Sequence, residues 1–134
     1  MRRSILSILI IAAVAVGAGL FGSALPAGFL PEEDQGVFSI NVQLPPGASL
    51  ERTSAVQEKV EAILAKTAGV DSYNTIGGYG ILTSSYQPNF GSFFVRLKPW
   101  EERHSKELHV RGVMATLQRE LSQISEAVVF PFNI

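Results

Sequence analysis

Three consecutive acids, Glu32, Glu33 and Asp34, form the longest acidic run in the sequence. Carboxylate oxygens are the ligands that hard divalent cations prefer, so this run has the chemistry to hold a metal ion. Runs of like charge are more often solvated, and we interpret these acids as a solvated junction just outside a membrane. His104 and His109 lack the i,i+4 spacing and the third ligand that a zinc site requires. The sequence therefore predicts no metal site, no cofactor and no catalytic residues.

A glycine-rich stretch, GGYG at residues 77–80, is the second place with the chemistry to bind a ligand. It lacks the G-x-G-x-x-G spacing of a phosphate-binding turn, and no helix follows it directly. The surrounding segment, residues 77–91, reads as a flexible hairpin loop, far longer than the usual length of about 2 to 5 residues. Such long loops are often functional, so we leave two interpretations open: contact with an apolar ligand, or packing on a neighbouring subdomain. The apolar side chains of this segment are Tyr79, Ile81, Leu82, Tyr86 and Phe90.

Composition narrows the classes of function. The chain has 134 residues and a formal net charge of −1, so no basic surface points to nucleic acid. It contains no cysteine, which excludes disulfides, zinc–thiolate sites and cysteine nucleophiles. Residues 4–30 carry no charge, whereas all 12 acids follow residue 31. The chain thus consists of an apolar segment and a polar part that is long enough for one domain.

The apolar segment has the length of a membrane-spanning helix. Residues 4–24 would cover roughly 31 Å at about 1.5 Å per residue, which matches the hydrocarbon core of a bilayer. Pro26 would end this helix, and Arg2 and Arg3 place its N-terminus in the cytoplasm by the positive-inside rule. A cleaved secretory signal is the alternative, because the small residues at 22–24 suit a signal peptidase. Both interpretations place the residues after about 30 outside the cytoplasm.

Side-chain periodicity predicts the elements of the polar part. In GVFSINVQL, Phe38, Ile40 and Val42 share one face, as in a half-buried strand, and Ser49 can then cap a helix. The same reasoning gives the order β-α-β-β-α-β, with the second helix at residues 106–124. This order is typical of a ferredoxin-like sandwich, an α+β fold with both helices on one face of the sheet. The chain stops directly after the last predicted strand, which suggests a piece of a longer protein.

Four stretches occur in a specific order from about Leu25 onwards: LPAGFLPEEDQGVF, VQLPPGASLERT, FVRLKPWEER and QISEAVVFPFN. Together they resemble the resistance-nodulation-division efflux pumps of the hydrophobe/amphiphile (AcrB-like) type. The resemblance implies that residues 1–30 are the seventh transmembrane helix with the membrane exit, and residues 31–134 the first periplasmic porter subdomain of the C-terminal half, ferredoxin-like in fold. It also implies a proton-driven multidrug exporter of the bacterial inner membrane, with a cytoplasmic N-terminus and periplasmic residues after about 30.

The partners that this resemblance implies are hydrophobic or amphiphilic small molecules, the lipid bilayer, two further copies in a homotrimer, a periplasmic adaptor and an outer-membrane channel. By position in the family, the implied substrate-binding residues are Asn74, Ile76, Tyr79, Ile81 and Phe94. The implied switch loop contains Gly77, Gly78, Gly80 and Leu82. Asn74 and Ile81 depart from the family's best-known members, which carry aromatic rings at these two positions.

Two alternatives to a transporter remain. The first is a secreted or membrane-tethered ferredoxin-like binding module with no role in transport. The second is an acylphosphatase-like enzyme on the same fold, which would need a phosphate-binding loop with an arginine between the first strand and the first helix. That connection is PPGAS, residues 45–49, and it contains no arginine. We therefore expect that the protein is not an enzyme.

Overall fold

The computed structural model describes the backbone of residues 2–24 and 34–133, and the side chains of the first helix from residue 10 to residue 22. The chain divides into two compact units, Met1–Glu33 and Asp34–Ile134. Each unit has its own architecture, and the second one contains all the strands that the structure describes.

The first unit contains one helix, α1, at Arg2–Ala24. Within the described ranges, no helix meets both the length and the apolarity that crossing a bilayer requires. The predicted membrane exit at residues 25–33, with Glu32 and Glu33, lies outside the described residues. The transmembrane helix and the assignment of domains at residues 1–30 and 31–134 therefore stay predictions.

The second unit is an α+β sandwich, and its β-α-β-β-α-β order confirms the prediction. A single 3-10 turn, Trp100–Glu102, follows the third strand. The elements are β1 Val37–Gln43, α2 Leu50–Leu64, β2 Val70–Gly80, β3 Ser85–Leu97, α3 Val110–Leu121 and β4 Val128–Phe132.

The four strands form one antiparallel sheet in the order β2-β3-β1-β4. Each helix connects two strands that are not neighbours, which is the strand order expected of a ferredoxin-like sandwich. Both helices pack on the sheet, α2 over β1, β2 and β3 and α3 over β4. The core lies between this sheet face and the two helices, and among its fully buried side chains are Phe38, Ile40, Val60, Phe93 and Leu117. Pro131 lies in β4, an edge strand, as its missing N–H predicts.

The start of α2 follows the predicted capping pattern. Ser49 has extended backbone angles, and its Oγ accepts a hydrogen bond from the backbone N–H of Arg52 at 3.4 Å. Gly47 precedes it with a φ of +88°, as the predicted PPG turn requires. The cap fixes the helix register, so that Val56, Val60 and Leu64 are buried against the sheet.

The predicted long loop at residues 77–91 is wrong, because most of it is strand. Pairing between β2 and β3 continues to Gly80 and Ser85, and only residues 81–84 form the turn. The ladder shifts its register between Gly77 and Tyr79, and Gly78, at this shift, has a φ of +76°. Glycine adopts this angle without steric cost, so the strand bulges and then pairs again. We call residues 76–92 the hairpin arm.

The second predicted helix is also shorter than expected. It was predicted at residues 106–124, whereas α3 begins at Val110 and ends at Leu121. His109 is the residue before the helix rather than within it, and its Nδ1 accepts a hydrogen bond from the backbone N–H of Arg111 at 3.5 Å. Imidazole is not one of the usual capping groups, which explains why the sequence pattern missed this start.

Candidate functional site

The face of the sheet that is turned away from the helices carries the candidate site. Because side chains alternate along a strand, Asn74 and Ile76 of β2 and Phe94 of β3 point away from the core that Phe93 and Val95 enter. Ile76, in the edge strand β2, is 38% exposed, and Phe94, in the central strand β3, is 39% exposed. We call this side of the sheet the open face. Its exposed apolar side chains can contact a ligand or a neighbouring domain.

A cavity of about 530 Å³ lies on the open face. Asn74 and Phe94 are direct partners in the β2–β3 register, and both line this cavity. Arg96 lines it as well, and its guanidinium group forms an ion pair with Asp71 at 2.8 Å. Both partners are more than a third exposed, so this pair adds little to stability but orients the guanidinium group at the rim. The lining of the cavity thus includes the ring of Phe94, the amide of Asn74 and the oriented guanidinium group of Arg96.

The five residues implied as substrate-binding do not line one cavity in the described part of the chain. Asn74 and Phe94 line the cavity on the open face, whereas Ile76 lies further along the same face. Tyr79 pairs with Tyr86 across the hairpin arm, with ring centroids 4.9 Å apart. Ile81 begins the turn at the tip of the arm. The structure therefore separates the set into a cavity group, Asn74 and Phe94, and a tip group, Tyr79 and Ile81, with Ile76 between them along β2.

The implied switch residues all lie in the hairpin arm or its turn. Gly78 occupies the bulge, and Leu82, 57% exposed, lies in the turn. A Cβ at Gly80 would come within 2.7 Å of Thr83 Oγ1, so a side chain at this position would force Thr83 to shift. The sequence predicts Phe90 in the long loop, but this residue belongs to β3 and is only 6% exposed.

Sequence reasoning missed one polar atom on the open face. Ser39 in β1 is paired with Phe94 on one side and Phe132 on the other, and it is fully buried. Among the described residues, its Oγ is the buried side-chain oxygen without a hydrogen-bond partner. A buried hydroxyl without a partner costs about 1 to 3 kcal/mol. Because Ser39 is fully buried and does not line the cavity, we assign its hydroxyl no role in binding. The alternation of β1 already placed Ser39 opposite the core, but serine on an open face carried no further signal.

The interpretation of Asp34 as part of a solvated acidic junction is wrong. Its side chain is fully buried and forms an ion pair with Arg103, with 2.8 Å between Oδ2 and Nη1. The carboxylate also accepts hydrogen bonds from the backbone N–H groups of Val110 at 2.8 Å and Gly36 at 2.9 Å. The indole of Trp100 lies over the Arg103 guanidinium group, 4.9 Å from its carbon atom. We call these five residues the Asp34–Arg103 cluster.

The cluster sets the ionisation of Asp34. Burial alone would raise the pKa of this carboxyl group, but the hydrogen bonds from Arg103, Val110 and Gly36 outweigh burial and lower the pKa below its ordinary value of 3.8. Asp34 therefore stays ionised at neutral pH. Through its hydrogen bond with the backbone N–H of Val110, Asp34 connects the start of the second unit to the first turn of α3, and this role is structural. Across the described residues, no three His, Asp or Glu side chains converge as metal ligands.

The fold and the open face define a class: an α+β sandwich whose free sheet face offers an aromatic-walled cavity to an apolar molecule or a neighbouring domain. The chain belongs to the AcrB/AcrD/AcrF family, whose model matches it over residues 1–134.

Several curated relatives are similar over nearly the whole chain. It is 41% identical to the multidrug export protein AcrF of Escherichia coli (strain K12) over 129 residues, which are 95% of this chain and 12% of the relative. It is 42% identical to the multidrug resistance protein MdtF of the same strain, over 90% of this chain and 12% of the relative. It is 35% identical to the toluene efflux pump membrane transporter TtgB of Pseudomonas putida, over 98% of this chain and 12% of the relative. The chain therefore spans about an eighth of the length of these relatives.

Proposed function

We propose that this chain is part of a proton-driven transporter that exports hydrophobic and amphiphilic compounds from the periplasm or the outer leaflet. The observation that carries this proposal is the cavity on the open face, with Phe94 as its aromatic wall and Asn74 and Arg96 beside it. A cavity of this kind holds an apolar body and orients a polar group, which suits an amphiphilic compound. The chain also belongs to a family whose members are named as efflux and export proteins, which supports a role in export.

In this proposal α1 crosses the bacterial inner membrane. Residues 4–24 contain no charged side chain, and Arg2 and Arg3 would hold the N-terminus in the cytoplasm. The second unit, from Asp34 onwards, would then be a periplasmic porter subdomain. No residue between 4 and 30 is ionisable, so the protons that drive transport would be carried by other parts of the full-length protein.

The remaining parts of the proposal concern assembly. The full-length protein would form a homotrimer and work with a periplasmic adaptor and an outer-membrane channel, and it would catalyse no chemical reaction. Four of the implied substrate-binding residues would act in two steps, because Asn74 and Phe94 line the cavity whereas Tyr79 and Ile81 lie towards the tip of the arm. The cavity group would hold the substrate, and the tip group would contact it as it moves along the arm.

The test is a drug-susceptibility panel in a host that lacks its own pumps, with the full-length protein and its Phe94→Ala variant. We expect that Phe94→Ala lowers resistance to the larger aromatic compounds and keeps resistance to small ones, because one ring contributes about 1.5 to 3 kcal/mol at most. Membrane abundance should stay unchanged, since the ring is not in the core. If the parent protein protects against no compound, the proposed function is wrong.

A secreted or membrane-tethered binding module is the second candidate, and the small residues at 22–24 favour it. Intact-mass analysis of the product extracted from membranes separates the transporter from the secreted form of the module, and the susceptibility panel separates it from the membrane-tethered form. A mass that includes Arg2 and Arg3 is expected for the transporter. A mature chain that starts near Leu25 would support the secreted module.

A further inference from the structure

The hairpin arm has a gap on its helix-facing side. There, Thr75 and Phe93 are followed by Gly77 and Gly91, which are partners in the register. Two glycines opposite each other leave a space that neither strand fills. The side chain of Gln57, from α2, occupies this space: a Cβ at Gly91 would come within 2.8 Å of its Nε2, and a Cβ at Gly77 within 3.3 Å of its Oε1.

Gln57 is also bonded to the arm. It is 4% exposed, and its Nε2 donates a hydrogen bond to the backbone carbonyl oxygen of Ile76 at 3.1 Å. Buried amide groups almost always form hydrogen bonds, so a variant that removes this donor or this acceptor should lower the stability of the arm. Ile76 lies directly before the register shift between Gly77 and Tyr79. The bond therefore holds the backbone of β2 at the point where the bulge begins.

A second contact from α2 holds the other strand of the arm. The hydroxyl group of Thr53 lies 2.6 Å from the carbonyl oxygen of Pro88 in β3. Thr53 and Gln57 are four residues apart, so they lie one above the other on the same face of the helix. Of the two, Gln57 contacts the strand that carries Asn74 and Ile76.

We propose that Gln57 is a positioning residue that determines which compounds are exported. Through the carbonyl group of Ile76 it fixes the conformation of residues 76–80, and hence the apolar surface that Ile76 and Phe94 form on the open face. Gln57 itself lies on the helix-facing side of the sheet and does not contact the substrate. This inference rests on the proposed function, because it assumes that the open face binds the transported compound.

The first measurement is hydrogen exchange of the full-length protein. Gln57→Met keeps an unbranched side chain of similar length but removes the donor. Gln118→Met makes the same change on the exposed face of α3 and serves as the control. We expect that Gln57→Met speeds amide exchange in residues 76–80 about fivefold, the factor for one hydrogen bond worth about 1 kcal/mol, while the control changes nothing there. Equal exchange in both variants would overturn the proposal.

The second measurement is the susceptibility panel at matched membrane abundance. We expect Gln57→Met to change resistance about fourfold or more for some compounds and to leave others unchanged, since a shifted surface alters selectivity rather than capacity. A merely structural role predicts a different result: lower abundance and an equal loss for all compounds. That uniform result, or a profile equal to that of the parent, would overturn the proposal.

A second pair of variants keeps the test open if Gln57→Met fails to fold. Gly91→Ala places a Cβ within 2.8 Å of the Gln57 amide and should displace it from Ile76, with the same change in exchange and in selectivity. Combining Gly91→Ala with Gln57→Ala removes the clash but leaves the carbonyl group of Ile76 without its donor, so the changes in exchange and selectivity should persist. If Gly91→Ala alone leaves exchange and selectivity at the level of the parent, the amide does not determine the arm.

The two proposals fail in different ways. If the parent protein exports nothing, the proposed function is wrong, while the exchange result still decides whether Gln57 fixes residues 76–80. If the parent exports compounds and Gln57→Met exports them with the same profile, the function stands and the role of Gln57 is wrong.

Discussion

The two ends of β3 are held by different means. At its C-terminal end, Leu97 donates a hydrogen bond to the carbonyl oxygen of Gly36, and Arg103 of the cluster donates one to the carbonyl oxygen of Lys98. At the cluster, the charged partners are fully buried, and the Asp34 carboxylate accepts hydrogen bonds from Arg103 and from two backbone N–H groups. At the arm, single neutral hydrogen bonds from Gln57 and Thr53 connect a glycine-rich ladder to α2. Charge-assisted bonds are roughly twice as strong as neutral ones. The sheet is therefore fixed at one end and held more weakly at the end that carries the predicted switch.

Breaking the cluster should have the largest effect. Arg103→Met leaves the Asp34 carboxylate buried without its cation, so we expect a loss of about 3 to 5 kcal/mol in the free energy of unfolding. Urea unfolding of the chain in detergent measures it, with the fluorescence of Trp100, the single tryptophan, as the probe. Trp100 lies over the guanidinium group and should report the change directly.

The control for this prediction removes both charges. Asp34→Leu combined with Arg103→Met should cost less than Arg103→Met alone, because no buried charge stays unpaired. A loss below about 1 kcal/mol for Arg103→Met would contradict the account of the cluster and would make the two ends of β3 equivalent.

Lowering the pH should destabilise the Asp34–Arg103 cluster, because Asp34 is ionised, whereas the contacts of Gln57 and Thr53 with the arm are neutral hydrogen bonds. The pKa of Asp34 is lower in the folded state than its ordinary value of 3.8, so the folded state binds fewer protons than the unfolded state. The stabilisation is fully present above the ordinary pKa and is lost as the pH falls through the folded-state pKa. Urea unfolding as a function of pH should show this loss for the parent and not for Asp34→Asn. Parallel pH profiles for both chains would contradict it.

The elements that sequence predicted well are those whose signals are local. Alternation placed Phe38 in the core, and Ser49 marked the start of α2, because both depend on neighbours within one element. Burial of Asp34 could not be predicted this way, since its partner Arg103 lies 69 residues further along the chain. A run of three acids predicts solvation unless that partner is known.

The hairpin arm was missed for a related reason. Glycines lower the strand signal, and the bulge at Gly78 interrupts the alternation on which the prediction depends. The resemblance to a family supplied Asn74 and Phe94 as site residues, and the structure places both beside one cavity. It did not indicate Gln57, whose role depends on the gap between two glycines that meet only in the folded sheet.

The bulge itself offers a test of intermediate size. Gly78→Ala forces a side chain into a φ of +76°, which should cost about 1 to 2 kcal/mol. Gly47→Ala is a matched control, because Gly47 has a φ of +88° and open space around its Cα. We expect similar losses in urea unfolding from both variants but a changed export profile from Gly78→Ala alone. Equal export profiles would show that the arm's backbone has no part in selectivity.

The smallest effect is expected at two buried serines that differ in their partners. Ser92, in the arm, donates a hydrogen bond to the carbonyl oxygen of Tyr79 at 2.6 Å, whereas Ser39, in β1, has no partner among the described residues. Ser92→Ala should therefore cost about 1 kcal/mol, because the bond is lost and the carbonyl group of Tyr79 loses a donor. Ser39→Ala should leave the free energy of unfolding unchanged or raise it by up to about 1 kcal/mol, since it removes an unsatisfied hydroxyl.

Urea unfolding of both variants measures the difference. A loss of stability for Ser39→Ala as large as that for Ser92→Ala would mean that the Ser39 hydroxyl forms a hydrogen bond within the protein.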